Sequence, residues 1–394
     1  MRILRLIAGN AAVTLALLLT AGVAGELALR ASAVPNDRVE RRGRVKYRFN
    51  PYQPDTVLGY AHRPDWQTVH ETAEFRVTVR TNRLGLRGGP VRVPKPAGIF
   101  RVLAVGDSFT FGWGVQEDEA FPARLEAELP PPAGYRETEV LNAGVPGWSA
   151  DTYFLYLRDR GLALEPDLLL LAPMENDIPD LGLVDLEVGA DGLPLRTRSR
   201  IRLIDQRGRM HYVDGGPLSL PRIHFPGQLF LAEHSRLYQF LGYRLARAWV
   251  GISLRRAEAR QREAAGPPPE GPIETLAPEE IRRGLASGPA FRLRYHRFLV
   301  RAIRELAREH GVAVRVLLIQ GRGPDPPPDS PLAELRAECD ADPICIRSAT
   351  LLRGLDPDEA FYPADGHWRA AAHAAVARGL ARWLEAQDLA PPAG

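Results

Sequence analysis

A short apolar run that breaks into a Gly-Asp-Ser turn constrains the fold of this chain more than any other stretch. Residues 102–105 are all apolar and too few for a helix, which is typical of a strand buried on both faces of a parallel sheet. The turn at 106–108 follows directly, and strands of an open α/β sheet end at the crevice where ligands bind. The run therefore predicts an α/β domain with Ser108 at its ligand-binding edge. The tripeptide alone favours a plainer interpretation, a turn in which Asp107 or Ser108 caps the next element.

Composition excludes several classes of protein. The 394 residues are 45% hydrophobic and 25% charged, which favours one large globular domain with appendages. All of the 51 basic residues except Lys46 and Lys95 are arginines, and they are interspersed with acids, so we expect no nucleic-acid partner. Neither the two cysteines nor the nine histidines have the spacing of a metal site. We expect neither a metal nor a cofactor.

The amino terminus predicts a membrane-associated segment. Arg2 and Arg5 precede an uncharged stretch at 7–25, which is long enough to span a bilayer or to act as an export signal. Residues 22–24 are small enough for a cleavage site, but the stretch exceeds the roughly 7–15 apolar residues of a cleaved signal. We therefore expect residues 1–30 to be a single-pass anchor with the catalytic domain outside the cell membrane. The alternative is a cleaved signal and a secreted or periplasmic protein.

Residues 31–98 predict a small β-rich appendage. Phe75, Val77 and Val79 alternate with polar residues, the period of a half-buried strand, and turn residues at 82–85 close that strand. We identify no cluster of catalytic side chains in this region.

From residue 99 the pattern alternates between strands and helices. Residues 139–143 and 168–172 predict two further short strands, and helices are predicted at 121–129 and 151–162. Each strand ends in a polar loop. In a parallel sheet these loops meet at one edge.

An insertion at 178–287 interrupts the alternation. Asp191-Gly192 and Asp214-Gly215 are turn signals that predict a β-hairpin, followed by a helix at 237–250. The charged, proline-rich stretch 255–278 predicts a mobile loop. The arginine-rich part of the insertion could contact an anionic polymer, although a solvated strand face is the plainer interpretation.

The carboxyl-terminal part returns to the helix and strand pattern. Residues 291–310 predict a helix, 312–319 a strand and 368–386 a final helix. Asp365 and His367 stand on the loop before that last helix, which fits the acid and base of a Ser/His/Asp hydrolase. The alternative is that Asp365 caps the helix and His367 packs on its aromatic neighbour.

Four motifs follow one another along the chain, namely Gly106-Asp107-Ser108, the loop from Asn142 to Gly147, Asn176-Asp177 and Asp365-Gly366-His367. In order and spacing they resemble the four motif blocks of the SGNH (GDSL-type) hydrolase family, across residues 99–178 and 290–386. The resemblance implies a three-layer α/β/α sandwich of the flavodoxin-like type at 99–390. The apolar amino terminus and the hairpin insertion also resemble membrane-anchored bacterial members.

The resemblance also implies a role for each matching residue. Ser108 resembles the nucleophile, His367 the base and Asp365 the acid that orients it. Gly144 and Asn176 resemble the donors that complete the oxyanion hole beside the Ser108 amide.

The sequence departs from the family pattern at two places. One residue separates Asp365 from His367 where many members have two, which leaves Asp358 or a backbone carbonyl as a substitute for the acid. Met174 stands where many members have a glycine, a change that we expect to alter packing around Asn176 more than chemistry.

The implied activity is hydrolysis of an O-acyl ester, most simply an acetyl ester of an extracytoplasmic glycan or lipid. Two alternatives stay open: an O-acyltransferase that uses the same serine, and a catalytically silent glycan-binding protein. Because exported proteins meet an oxidising compartment, Cys339 and Cys345 could form a disulfide, or they could be two separate small hydrophobic residues. The sequence does not set the oligomeric state.

Overall fold

The protein is described by a computed structural model that covers residues 2–31, 51–72, 74–199, 202–204, 210–212, 234–238, 241, 259, 263, 266–323, 325–363, 365–387 and 389. An amino-terminal helix precedes two antiparallel hairpins, and the elements in chain order are α1 (Arg2–Ala31), β1 (Tyr52–Asp55), β2 (Gly59–His62), β3 (Gln67–Glu71) and β4 (Arg76–Arg80). In β4 the buried and exposed residues alternate. The strand predicted around Val77 is therefore confirmed.

The first half of the α/β domain follows, with its inserted strands. Its elements are β5 (Ile99–Gly106), α2 (Ser108–Phe111), α3 (Phe121–Glu128), β6 (Glu137–Asn142), α4 (Ala150–Tyr156), β7 (Leu168–Ala172), α5 (Asp177–Asp180), β8 (Val184–Val188), β9 (Pro194–Ser199), β10 (Arg202–Ile204) and β11 (Met210–Tyr212). The predicted helix at 151–162 ends earlier than expected, because the chain continues from Leu157 to Gly161 as a π-helical turn.

The second half completes the domain. Its elements are α6 (Pro278–Ser287), α7 (Pro289–Glu309), β12 (Ala313–Leu318), α8 (Pro331–Ala341), β13 (Cys345–Arg347), α9 (Ser348–Leu351), α10 (Pro357–Ala360) and α11 (Ala370–Glu385). The predicted strand at 312–319 and the helices at 291–310 and 368–386 are confirmed within two residues at each end. The sequence analysis missed α6, α8 and the edge strand β13.

Five parallel strands form the central sheet in the order β13-β12-β7-β5-β6. Counted along the chain this order is 2-1-3-4-5, which is the doubly wound order of flavodoxin-like folds. Alternate residues of β5 face opposite sides. Leu103 packs into the core that α4 and α7 cover, and Val102 packs into the core that α3 and α11 cover. The predicted three-layer α/β/α architecture is confirmed.

The insertion contains the predicted hairpin. Strands β8 and β9 pair antiparallel, and Gly192, at positive φ, lies in the turn between them. Asp214-Gly215 and most of the predicted helix at 237–250 lie outside the described residues. The stretch 255–278 is predicted to be a mobile loop. This prediction is wrong for residues 266–278, which the structure describes, because Ile273 and Leu276 are buried in the core.

The amino-terminal helix α1 contacts a segment far along the chain. The Glu26 carboxylate accepts hydrogen bonds from the amides of Arg236 and Leu237 at 3.0 and 2.8 Å. Within the part of the chain that the structure describes, no helix is long and apolar enough to cross a membrane. The structure therefore lends no support to the predicted membrane anchor.

Candidate active site

The sheet order sets where the site lies. Strands β5 and β7 are neighbours although β6 comes between them in the sequence, so the chain reverses direction across the sheet at this point. Ligands of doubly wound sheets bind outside the carboxyl ends of the strands at such a switch point. Ser108 directly follows the turn after β5, and Asn176 stands in the loop after β7.

A short capped helix presents Ser108, the predicted nucleophile. The Asp107 carboxylate accepts a hydrogen bond from the Phe109 amide at 2.9 Å, so this residue is the amino-terminal cap of α2. The side chain of Asp107 is fully buried, and that burial raises its pKa. A Cβ atom on Gly106 would lie 2.1 Å from the Thr110 hydroxyl, which explains why the turn needs a glycine. Ser108 itself stays 9% exposed.

The predicted catalytic residues form one hydrogen-bonded chain. Ser108 Oγ lies 2.7 Å from His367 Nε2, and His367 Nδ1 lies 2.5 Å from Asp365 Oδ1. With a proton on Nδ1, the imidazole donates to Asp365 and can accept the Ser108 proton at Nε2. Burial is the largest single influence on Asp365 and raises its pKa, but the hydrogen bonds from His367 and Trp113 and the charge of His367 together outweigh burial and lower that pKa.

The spacing of one residue between acid and base works because of the turn between them. Gly366 has a φ of 87°, a left-handed conformation that glycine adopts without strain. The candidate substitute, Asp358, instead accepts a hydrogen bond from the Arg322 guanidinium at 2.6 Å. The structure thus brings Asp365, and not Asp358, to the imidazole.

Two side chains that the sequence analysis missed hold Asp365. The indole Nε1 of Trp113 donates to Asp365 Oδ2 at 3.3 Å, and the Asp365 amide donates to the Glu74 carboxylate at 2.7 Å. Trp113 follows the nucleophile helix, whereas Glu74 lies between β3 and β4 in the amino-terminal appendage. Tertiary contacts across such long sequence distances leave no periodic signal.

The Gly144 amide has a hydrogen-bond partner within its own loop. The Gly144 amide donates to the Asn142 side chain at 3.0 Å, so this N–H is already used within its own loop. A Cβ atom at this position would lie 2.2 Å from the Phe111 amide nitrogen. The observed function of Gly144 is therefore close packing against the nucleophile helix, and its part in an oxyanion hole stays a prediction.

Asn176 keeps a donor at the same edge of the sheet. Its Nδ2 lies 3.4 Å from Asp180 Oδ2, a long and weak contact that a stronger acceptor could replace. Met174, which stands where many family members have glycine, is partly buried and pairs with Ile319 at the end of β12. That this residue alters packing around Asn176 more than chemistry stays a prediction.

A buried arginine fixes the loop after the nucleophile. The guanidinium of Arg87 donates to the carbonyl oxygens of Phe111 and Gly112 at 2.5 Å each and of Val115 at 2.6 Å. Burial lowers the pKa of Arg87 to about 10, so the side chain is still charged at neutral pH. Because Arg87 belongs to the segment before β5, the amino-terminal region clamps the nucleophile loop.

A buried carboxyl lies below the Asn176 loop. Asp177 is fully buried and its Oδ1 accepts a hydrogen bond from the Tyr153 hydroxyl at 3.2 Å. Burial, together with the charge of the nearby Asp107, raises the pKa of Asp177 well above its usual value. This carboxyl therefore keeps its proton to a higher pH than an exposed aspartate does.

No protein-family model and no curated protein matches the sequence. Among solved structures, one from Desulfitobacterium hafniense, described as a lipolytic protein of the G-D-S-L family, is 12% identical over 72% of this chain and 99% of that chain, with a TM-score of 0.33. TesA is 15% identical over 73% and 98%, with a TM-score of 0.32. A protein from Bacteroides fragilis described as an acylhydrolase is 13% identical over 73% and 87%, with a TM-score of 0.31. Likeness at this level says nothing about substrate or mechanism, so the function is inferred from the geometry of this chain.

Proposed function

We propose that the protein is a serine hydrolase that cleaves O-acyl esters. One observation carries the proposal, the continuous hydrogen-bonded chain from Ser108 through His367 to Asp365. A serine hydroxyl is a weak nucleophile at neutral pH unless a base removes its proton. The imidazole supplies that base, and the carboxylate fixes the tautomer that leaves Nε2 free to accept the proton.

The reaction proceeds in two halves. Ser108 Oγ attacks the ester carbonyl as His367 Nε2 takes the hydroxyl proton, and the resulting imidazolium then protonates the departing alcohol. A water molecule, deprotonated by the same imidazole, releases the acid from the acyl-serine. The Ser108 amide and the Asn176 carboxamide supply donors for the oxyanion, and one such donor is worth about a hundredfold or more in turnover.

We propose an extracytoplasmic location for this activity. The support is the disulfide between Cys339 and Cys345, since disulfides persist in oxidising compartments and are rare in the cytosol. This bridge ties the end of α8 to β13, the edge strand of the sheet. A test is to measure free thiols by mass spectrometry in protein taken from the cell envelope under non-reducing conditions. Two free thiols would contradict the bridge and remove this support for the location.

We propose that the substrate is a small acyl ester, most simply an acetyl ester, of a glycan. Aromatic rings crowd the base, with Phe109 and Trp113 centred 4.8 and 5.6 Å from the ring of His367, which favours a small acyl group. A cavity of about 870 Å³ with a mixed polar and apolar lining lies between the β1–β2 turn, the β8–β9 hairpin and α6. Six charged residues of the described chain line it, namely Asp55, Asp185, Glu187, Arg196, Arg198 and Arg282. Such a lining suits the hydroxyl groups of a sugar chain better than a lipid.

Transfer of the acyl group to a sugar hydroxyl is the second candidate, because the acyl-serine intermediate is the same. A sugar hydroxyl would compete with water for that intermediate. A silent binding protein is disfavoured by the intact hydrogen-bonded chain at Ser108.

The test is to assay the purified full-length protein against p-nitrophenyl acetate and p-nitrophenyl octanoate, with Ser108→Ala as the control. We expect faster cleavage of the acetate, no activity in the variant, and labelling of Ser108 by a fluorophosphonate in peptide mapping. Equal activity in Ser108→Ala would overturn the proposal. Adding an oligosaccharide separates the two candidates, because a transferase would acetylate the sugar faster than it releases acetate.

A further inference from the structure

We propose that Trp113 is a positioning residue, and that it, together with the β3–β4 hairpin, sets the orientation of the Asp365–His367 pair. The inference rests on the proposed function of Ser108 and His367. Trp113 touches no reacting atom in the proposed reaction; it acts through the carboxylate of Asp365, to which its indole N–H donates.

The geometry explains why this carboxylate needs help from outside its own loop. Asp365 uses Oδ1 for the imidazole, so its second oxygen must be held separately if the carboxylate plane is not to rotate. Trp113 binds that second oxygen, Oδ2, at 3.3 Å. The Glu74 carboxylate holds the backbone of the same residue through the Asp365 amide at 2.7 Å. One residue is thus fixed at both oxygens and at its amide.

The hairpin in turn holds the indole. His70 on β3 lies edge-on to Trp113, with ring centroids 4.3 Å apart. Burial lowers the pKa of His70 to about 3, so the ring is neutral at working pH and adds no competing positive charge beside Asp365. Phe75 contacts both His70 and Tyr362, with ring centroids 4.9 and 5.2 Å away.

A further contact locks the two loops to each other. The Tyr362 hydroxyl donates to the Gly114 carbonyl at 2.8 Å, which links the loop that carries Asp365 to the loop that carries Trp113. A Cβ atom on Gly114 would lie 2.8 Å from the Tyr362 ring and 3.0 Å from that of Phe75. Hairpin, nucleophile loop and acid loop therefore form one packed unit.

The experiment compares Trp113→Phe, which keeps a ring and removes the N–H donor, with Trp66→Phe. Trp66 is a matched control because its buried indole nitrogen has no hydrogen-bond partner among the described residues, and because it lies just before the same hairpin. For Trp113→Phe we expect kcat to fall about tenfold with KM unchanged within about twofold, since only orientation is lost. For Trp66→Phe we expect both constants to be unchanged.

A spectroscopic measurement separates this inference from the proposed function. The proton between His367 Nδ1 and Asp365 should give a strongly deshielded ¹H NMR resonance in the resting protein, with no substrate needed. We expect Trp113→Phe to shift or broaden it and Trp66→Phe to leave it in place. If Ser108→Ala failed to abolish turnover, the proposed function would fall while this resonance still tested the positioning role.

Variants of Glu74 keep the test decisive if Trp113→Phe does not fold. Glu74→Gln retains an acceptor for the Asp365 amide, whereas Glu74→Ala removes it. We expect the glutamine variant to match the native kcat within about twofold and the alanine variant to lose about threefold. An unchanged kcat and an unchanged resonance in Trp113→Phe, an equal loss in Trp66→Phe, or equal constants for the two Glu74 variants would overturn the inference.

Discussion

The two ends of the hydrogen-bonded chain are held in opposite ways. Ser108 is fixed from inside, since all eight residues of β5 are buried and Asp107 caps the helix that begins at the serine. The Asp365–His367 pair lies near the surface, with side chains 23% and 22% exposed, and is held by groups outside the sheet. The sheet and the buried contacts of Arg87 therefore place Ser108, whereas the base depends on the β3–β4 hairpin for its orientation.

Replacing Ser108 or His367 should have the largest effect on turnover. We expect Ser108→Ala and His367→Ala each to lower turnover at least about a thousandfold, because the two side chains act as one unit. The double variant should be no worse than either single one, in contrast to independent sites whose losses multiply. The measurement is kcat on p-nitrophenyl acetate, with circular dichroism to check the fold. A double variant that multiplies the single losses would show that the residues act separately.

The contribution of buried contacts to the loop after Ser108 is tested at Arg87. We expect Arg87→Met to reduce the free energy of unfolding by about 3 kcal/mol, because three buried carbonyl oxygens lose a charged donor. Arg83→Met is the matched control. Arg83 is exposed on the same segment and makes one bond of 3.3 Å to the Val91 carbonyl. Urea denaturation measures the free energy of unfolding of both variants. Equal losses of stability would mean that the hydrogen bonds of Arg87 contribute nothing.

The oxyanion donor should matter for chemistry and not for stability. We expect Asn176→Ala to lower kcat about a hundredfold, which corresponds to about 2.7 kcal/mol in the barrier, with little change in the unfolding midpoint. Single-turnover kinetics should show slower acylation of Ser108. A large loss of stability with normal chemistry would instead assign Asn176 a structural role.

The last prediction concerns the stability contributed by the buried Asp177, which depends on pH. Because its pKa is raised in the folded protein above the usual 3.8, the folded state holds a proton that the unfolded state releases. Stability contributed by this group is thus present below pH 3.8 and lost as pH rises towards the folded pKa, by up to about 1.4 kcal/mol per pH unit. Asp177→Asn removes that slope while keeping a partner for Tyr153. Denaturation between pH 4 and 7 checks this, and identical slopes in both proteins would contradict it.

The central sheet could be predicted from the sequence because its signals are local. Continuous apolar runs such as 168–172 match the observed strand Leu168–Ala172, and each run ends at a turn that brings a polar residue to the same edge. The edge strand β13 was missed since it has only three residues, all half-buried. Its place in the sheet depends on pairing with β12 and not on its own composition.

The candidate site was only partly predictable for a related reason. Ser108, Asp365 and His367 stand in motifs, so their meeting could be expected. Glu74 and Trp113 stand in none, and their contacts with Asp365 join residues 291 and 252 positions apart. For Gly144 the motif suggests a donor whose N–H binds the Asn142 side chain in this structure, so its part in an oxyanion hole stays a prediction.

The order of the β3–β4 hairpin, Ser108 and His367 along the chain has a consequence for biosynthesis. Ser108 and His367 are 259 positions apart. The β3–β4 hairpin and the loop that follows Ser108 are therefore synthesised long before Asp365 and His367. Closing so long a loop comes late in folding, because its entropy must be lost before the contact is gained. The proposed nucleophile consequently meets its proposed base only after the segment that carries Asp365 and His367 has been synthesised and docked.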